Sequence, residues 1–331
     1  MGEFARQKNK DRLTETKASA IGPDKHIGRI AKATGASQST ICPASLILSG
    51  SILTTAPMIK PHSVLLLLSL LLGCARQPVY HHDPIPAHED FTLDSKFVNE
   101  TRVINVWTPP GYADGAGNFP VLYMPDGGIG EDFPHIANTI AELVNTKRIP
   151  PIILVGIENT DRRRDLTGFS EVADDAQYCP LTDGAKDFRA FITEELFATI
   201  DGRYRTTGER GIIGESLAGL FVMETCLLAP GSFSFYLAMD PSLWWNDHYL
   251  VRQAGTFLAA FPDQPIRLWF AGSSAEDISR YTNELATLLR QDTPAKLQWT
   301  YSDEPTEQHH TIFRATKEKA LIWALGRPGE E

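Results

Sequence analysis

The sequence predicts an α/β fold with a mostly parallel central sheet flanked by helices. Strand-like and helix-like segments alternate between about residues 91 and 325, as in chains whose strands are joined by crossover helices. Pro120–Met124 and Ile152–Ile157 are continuous apolar runs, which is typical of parallel strands buried on both faces. A further apolar strand at 211–213 passes through a short glycine-containing turn straight into an apolar helix at 221–228.

The individual elements follow from local patterns. Residues 91–97 and 102–108 alternate apolar and polar side chains, which predicts two antiparallel strands ahead of the break at Pro109–Tyr112. Apolar runs predict the later strands, and amphipathic stretches predict the helices between them. In chain order we expect a helix ending near 144, a polar loop with Arg162, Arg163 and Arg164, a helix at 185–200, a strand at 233–239, a helix at 248–260, a strand at 266–271, a helix at 278–289, a strand at 297–301 and a helix at 312–325.

Composition limits the classes of function. The 331 residues carry a formal net charge of -10 and a pI near 5.4, which argues against a nucleic-acid-binding protein. The four cysteines have no paired spacing that would indicate a disulfide framework or a zinc site. The sequence gives no reason to expect a metal ion or an organic cofactor, and it does not determine the oligomeric state.

The first ninety residues have a different character. Residues 1–57 are polar and without a sustained period, so we expect a disordered or non-native leader. Residues 58–73 have a basic start and the apolar run Val64–Leu72, which is too short to span a bilayer and is typical of a signal peptide. We therefore expect translation to start at Met58. Residues 74–90 are rich in proline and are expected to be a tether to a catalytic domain at 91–326.

The end of this segment resembles a bacterial lipoprotein signal. Leu71–Cys74 has the Leu-x-Gly-Cys form, in which the chain is cut before a cysteine that becomes lipidated. The resemblance implies that Cys74 is the first mature residue and carries a lipid. It also implies that the protein is anchored at the periplasmic side of a bacterial envelope, at the outer membrane.

The turn after the strand at 211–213 has the pattern of a nucleophile elbow. Ser216 lies within Gly214–Gly219, between a strand and a helix, where a strained turn would expose its hydroxyl at the edge of the sheet. Such a turn requires small residues two positions before and after the serine, and Gly214 and Ala218 meet this requirement. The sequence therefore predicts that Ser216 is a nucleophile.

A nucleophilic serine needs a base and an orienting acid. Where the serine lies on an elbow between a strand and a helix, they follow it in the order acid and then histidine. We expect His309 to be the base, in the acidic loop before the last helix, with its neighbour His310 in another role. The acid should follow the strand at 266–271, where Glu276 is preferred and Asp277 is the alternative. Asp240, after the preceding strand, is a third candidate.

Two further groups complete the predicted site. The backbone N–H of Leu217 and that of Gly128 or Gly127 are expected to stabilise a developing oxyanion. Trp244 and Trp245 are expected to flank an aromatic or acyl part of a small-molecule ester substrate. The three consecutive arginines of the polar loop are candidates for holding an anionic substrate.

From about residue 91 to 325 the chain resembles the "putative esterase" group of α/β-hydrolases, which includes enterochelin and bacillibactin esterases, esterase D, feruloyl esterases and mycolyltransferases. The motifs that carry the resemblance are Val106–Tyr112, Phe119–Gly128, Ile200–Thr206, Pro241–Trp245 and Glu307–Ile312.

The resemblance implies the α/β-hydrolase fold and a serine carboxylic-ester hydrolase that forms an acyl-enzyme on Ser216, with His309 as general base. The alternatives are an acyltransferase that uses the same acyl-enzyme and a siderophore-type ester hydrolase. Three positions depart from the group: Glu215 replaces a frequent histidine, Ala218 the usual second glycine, and Asp240 a common serine. The last departure bears on which carboxylate is the triad acid.

Overall fold

The computed structural model describes residues 83–326, in which eight strands form one sheet. The strands are β1 (Glu89–Ser95), β2 (Glu100–Trp107), β3 (Phe119–Met124), β4 (Ile153–Ile157), β5 (Thr206–Glu215), β6 (Phe235–Met239), β7 (Ile266–Gly272) and β8 (Leu297–Asp303). Their order in the sheet is β1-β2-β4-β3-β5-β6-β7-β8. Only β2 pairs antiparallel with its neighbours, β1 and β4, and all other pairs are parallel. The predicted α/β fold is confirmed.

Helices connect the parallel strands and cover both faces of the sheet. They are α1 (Phe133–Asn145), α2 (Arg162–Asp165), α3 (Gly184–Ala190), α4 (Phe197–Arg203), α5 (Leu217–Leu228), α6 (Trp245–Arg252), α7 (Ala254–Ala259), α8 (Glu276–Gln291) and α9 (Ile312–Leu325). Short 3₁₀ turns lie at Ala173–Gln177 and Pro230–Ser232.

Two hydrophobic cores form because the side chains of each buried strand alternate between the faces. In β3, Val121 and Tyr123 belong to the core beneath α3 to α8, whereas Leu122 and Met124 belong to the core beneath α1 and α9. All four side chains are at most 1% exposed. Because alternate residues fill opposite cores, a strand buried on both faces needs a continuous apolar run. Burial of each such side chain contributes about 1.5–3 kcal/mol to folding.

The parallel strands bring distant parts of the chain to one edge of the sheet. Because β5, β6, β7 and β8 run in the same direction, the segments that follow them meet at their carboxyl ends. Ser216 follows β5, Asp240 follows β6, and the loop after β8 leads to His309. The order of the strands therefore assembles the residues of the predicted site.

Some helices differ from the predicted ones. The helix expected at 185–200 contains a π-helical turn, Phe191–Leu196, between α3 and α4. The helix expected at 248–260 is two helices, α6 and α7, and Asn246, Asp247 and His248 have left-handed backbone angles. The polar arginine loop contains α2, and β1 begins at Glu89 rather than at residue 91.

The predictions for residues 1–57, for the signal segment 58–73 and for Cys74 lie outside the described residues. Between residues 83 and 326, no helix is both long and apolar enough to cross a lipid bilayer. Of the cysteines in this part of the chain, Cys179 and Cys226 are both buried and reduced. Cys226 lies in the helix after the elbow, α5, and its side chain is buried in the hydrophobic core, as a small apolar side chain would be.

Candidate active site

The turn between β5 and α5 has the strained geometry of a nucleophile elbow. Ser216 has a φ of 61° and a ψ of -119°, which a residue with a side chain adopts only where the surroundings enforce it. A Cβ at Gly214 would lie 2.6 Å from the carbonyl carbon of Ala218, so no side chain fits there. The requirement for small residues at these two positions is confirmed.

Three side chains form a hydrogen-bonded chain at this turn. The hydroxyl of Ser216 donates to Nε2 of His309 across 3.0 Å. Nδ1 of His309 donates to Oδ2 of Asp240 across 2.8 Å. A base within hydrogen-bonding distance of the serine and an acid on its other nitrogen are the arrangement that activates a serine nucleophile. His310 is exposed, so only the first histidine of the pair enters the site.

The preference for Glu276, with Asp277 as alternative, is wrong. Both are exposed residues at the start of α8, and the carboxylate bonded to His309 is that of Asp240, which is fully buried. The segment after β7 instead provides Ser273, whose N–H and hydroxyl donate to the two oxygens of Asp240 at 2.5 and 2.7 Å. The replacement of a common serine by Asp240 was the sequence signal for this role.

The predicted oxyanion donors behave differently from one another. Leu217 begins α5, where the helix offers no acceptor for its N–H and the positive end of the helix dipole lies. In contrast, the N–H of Gly128 donates to Glu131 at 2.7 Å and that of Gly127 donates to the carbonyl of Ile157 at 2.9 Å. The N–H of the predicted second oxyanion donor, Gly128 or Gly127, is thus already occupied: Glu131 folds back onto Gly128, and the end of β4 accepts from Gly127.

The hydroxyl of Ser216 opens into a cavity of about 410 Å³. Its walls include Trp244 and Tyr178, whose rings lie edge to face at 5.2 Å, and Tyr178 is half exposed. Trp245 is 4% exposed and donates from its indole N–H to the carbonyl of Gly168, so it belongs to the core. Of the two predicted tryptophans, only Trp244 lines the cavity, and no sequence pattern indicated Tyr178.

The three consecutive arginines have different environments. Arg162 lines the cavity and donates from Nε and Nη2 to the two oxygens of Asp126 at 2.6 and 2.7 Å. Arg164 points away from the cavity and pairs with Glu100 and Asp165. Arg163 also lines the cavity, and the ion pairs found between residues 83 and 326 do not include its side chain. The cavity wall thus carries one fixed and one exposed cation.

Carboxylates surround the base and change its protonation. The hydrogen bond to Asp240 raises the pKa of His309, and burial opposes this effect. The negative charges of Glu215, Asp240 and Asp277 raise the pKa of His309 further. The imidazolium that forms when Ser216 loses its proton is therefore stabilised by its surroundings.

Other parts of the described chain lack such a constellation. A larger groove, of about 650 Å³, lies at the amino ends of β6, β7 and β8, and its walls contain Glu209, Arg267 and Lys296 but no histidine. Between residues 83 and 326 no three histidine, cysteine or acidic side chains are grouped so that they could hold a metal ion. The chemistry of the described chain is therefore concentrated at the elbow.

An elbow serine, its base and a buried acid at the carboxyl edge of a mostly parallel sheet define an ester hydrolase of the α/β-hydrolase type. Residues 95–317 match the family described as "Putative esterase", and the chain belongs to this family.

Several similar proteins are named as esterases. The ferri-bacillibactin esterase BesA of Bacillus subtilis is 28% identical over 276 residues, which cover 74% of this chain and 92% of BesA. The apo-salmochelin esterase of Escherichia coli is 24% identical over 244 residues, which cover 68% of this chain and 76% of that esterase. Among solved structures, an IroE-like serine hydrolase of Shewanella oneidensis has a TM-score of 0.66 and 26% identity, over 72% of this chain and 80% of that one.

Proposed function

We propose that the protein hydrolyses carboxylic esters through an acyl-enzyme on Ser216. The observation that carries the proposal is the chain of hydrogen bonds from Ser216 through His309 to Asp240 at the mouth of the cavity. Family membership and the ester-hydrolysing relatives support the same reaction.

In the first step, Oγ of Ser216 attacks the ester carbonyl carbon while its proton moves to Nε2 of His309. The N–H of Leu217 donates to the oxyanion that develops, and a donor of this kind contributes about 3 kcal/mol. The tetrahedral intermediate collapses, the C–O bond to the alcohol breaks, and His309 returns the proton to the leaving oxygen. Water then gives a proton to His309 and attacks the acyl carbonyl carbon. The bond from this carbon to Oγ of Ser216 breaks, His309 returns the proton to Oγ, and the acid is released.

The walls of the cavity favour a substrate of the siderophore type. Trp244 and Tyr178 provide aromatic surfaces, and Arg162 and Arg163 provide positive charge. A substrate with aromatic rings and negative charge fits both features. Its rings can pack against the aromatic side chains, and its negative charge can pair with the arginines. The names of the relatives, which include a ferri-bacillibactin esterase and an apo-salmochelin esterase, support this substrate class.

Hydrolysis of p-nitrophenyl esters from acetate to decanoate tests the reaction. The parent protein should release p-nitrophenol, and Ser216→Ala or His309→Ala should lower kcat on the order of a millionfold. A fluorophosphonate should label Ser216 in the parent. If an added alcohol is acylated in preference to water, the protein is an acyltransferase. If no ester is hydrolysed and no label is incorporated, the proposal is wrong.

We also propose that the chain is a lipoprotein held through Cys74 at the periplasmic side of a bacterial envelope. The proposal is supported by the sequence of residues 58–74. Mass spectrometry of the protein isolated from its native cells should find a lipid on Cys74 and no peptide from residues 1–57. An unmodified Cys74 within an uncut chain would contradict it.

A further inference from the structure

Glu215 is a largely buried carboxylate in the active site that the triad does not use. It is the last residue of β5 and immediately precedes the nucleophile. Its side chain is 18% exposed, and its Oε1 lies 3.5 Å from Nε2 of His309. Within residues 83–326 no hydrogen bond reaches this carboxylate, so its charge is balanced through space by the cations around it.

Charged groups from several elements face Glu215. His309, from the loop before α9, and Arg162, from α2, are the positive neighbours, whereas Asp132, before α1, and Asp240, after β6, are negative. The pKa of Glu215 is raised to about 7, chiefly by burial; His309 and Arg162 lower it, and Asp132 and Asp240 raise it. Glu215 therefore changes its charge in the same pH range as a histidine.

The two nitrogens of His309 face different carboxylates. Nδ1 is bonded to Asp240 at 2.8 Å, and this contact fixes the tautomer. Nε2 is the atom that receives the proton of Ser216, and Glu215 lies on this side of the ring. At 3.5 Å in a partly buried site, a carboxylate interacts with an imidazolium far more strongly than it would in water.

We propose that Glu215 is a positioning residue that stabilises the His309 imidazolium from its Nε2 side during acyl transfer. The inference rests on the proposed esterase function. The O–H bond of Ser216 breaks, the new O–C bond forms and the proton moves to Nε2. From there the proton passes to the leaving alcohol oxygen, and Glu215 takes up no proton in the cycle.

This arrangement has a measurable consequence for the base. An ionised Glu215 makes His309 more basic, so the neutral imidazole needed for attack appears only at higher pH. Because Glu215 and His309 interact, the apparent pKa on the acidic limb of the pH–rate profile describes the pair and not either residue alone. Without the charge of Glu215, His309 should titrate alone and at lower pH, and it should also accept the serine proton less readily.

The test compares the full-length parent with Glu215→Gln and with Glu284→Gln, which removes an exposed carboxylate of α8. ¹⁵N-histidine NMR, with the signal assigned through His309→Gln, measures the pKa of His309 directly. We expect that pKa to fall by about one unit in Glu215→Gln and to stay unchanged in Glu284→Gln. The acidic limb of kcat/KM on p-nitrophenyl butyrate should move down by the same amount.

The outcomes separate the inference from the proposed function. If the parent hydrolyses esters but neither the His309 pKa nor the acidic limb moves in Glu215→Gln, the inference is wrong and the esterase function stands. If the parent is inactive on every ester while the His309 pKa shifts, the charge coupling stands, and both the esterase function and the positioning role of Glu215 in acyl transfer fail. Glu215→Ala repeats the measurement if the glutamine variant does not fold.

Discussion

At the scale of single residues, the identity of the acid depends on one backbone conformation. Asp240 has a φ of 46°, in the left-handed region that aspartate tolerates better than most residues. In this conformation the carboxylate of Asp240 lies between Ser273 and His309 and has no contact with solvent. A buried carboxylate that accepts three hydrogen bonds is stably oriented, as the partner of a catalytic histidine must be.

Replacing Asp240 by asparagine should abolish most of the activity without unfolding the protein. The amide would place an N–H₂ group against Ser273 or His309, both of which donate hydrogen bonds to the native carboxylate. The His309 ring would then favour the wrong tautomer, and we expect kcat on p-nitrophenyl butyrate to fall about 10⁴-fold.

Glu276→Gln is the matched comparison for this variant. Glu276 is exposed at the start of α8, so its substitution should change kcat by less than about twofold. Circular dichroism of both variants shows whether they are folded. The assignment of the acid fails if Glu276→Gln loses activity and Asp240→Asn keeps it.

Sequence reasoning found the nucleophile and the base but placed the acid, Asp240, third among its candidates. The elbow around Ser216 is a local pattern, and His309 lies in the loop between the last strand and last helix, so both could be predicted from position along the chain. The acid is selected in three dimensions, because the segments after β6 and β7 reach the same edge and both contain acidic residues. The hydrogen bond to Nδ1 of His309 identifies Asp240 among them.

At the scale of elements, the strands were predictable and several helices were not. Buried strands are continuous apolar runs, and most strand boundaries agree with the sequence to within about two residues, although β5 begins five residues before the expected strand. The π-helical turn at Phe191–Leu196 retains a helix-like apolar pattern and leaves no clear signal in the sequence. The left-handed turn at 246–248 depends on contacts of Asn246 with Asp175 and Phe169, which lie about 70 residues earlier.

The glycine turn after β3 provides the prediction at this scale. A Cβ at Gly127 would lie 2.3 Å from both Cα of Gly156 and N of Ile157, so it would collide with the backbone at the end of β4. Gly127→Ala should therefore force β3 and β4 apart, at a cost of at least about 3 kcal/mol in the free energy of unfolding. Urea denaturation followed by fluorescence measures this loss.

Gly130→Ala is the control in the same turn. No atom lies within 4 Å of a Cβ at this position, so the substitution should change the free energy of unfolding by less than about 0.5 kcal/mol. Equal urea midpoints for the two variants would show that the end of β4 can move away from Gly127. The contact between the two strand ends would then not be a rigid part of the fold.

At the scale of the whole molecule, the site gathers charge that the fold must tolerate. Asp240, Glu215 and Asp277 lie around the imidazole of His309, and Asp132 and Arg162 act on Glu215. Asp240 is fully buried and Glu215 is largely buried. Burying a carboxylate that accepts no hydrogen bond from the described chain is unfavourable for folding. A site arranged in this way lowers stability in exchange for the reactivity of its base, which is common at active sites.

The pH dependence of stability measures this cost. The pKa of Glu215 rises from 4.5 in the unfolded chain to about 7 in the folded protein, so the folded state binds more protons between these values. Its contribution to stability is thus fully present below about pH 4.5 and is lost as the pH rises through 7. Glu215→Gln should raise the free energy of unfolding at pH 8 by about 2–3 kcal/mol and leave it unchanged near pH 4. Thermal unfolding at the two pH values, with Glu284→Gln alongside, checks this expectation, and an equal gain at both values would mean that the charge of Glu215 is not its cause.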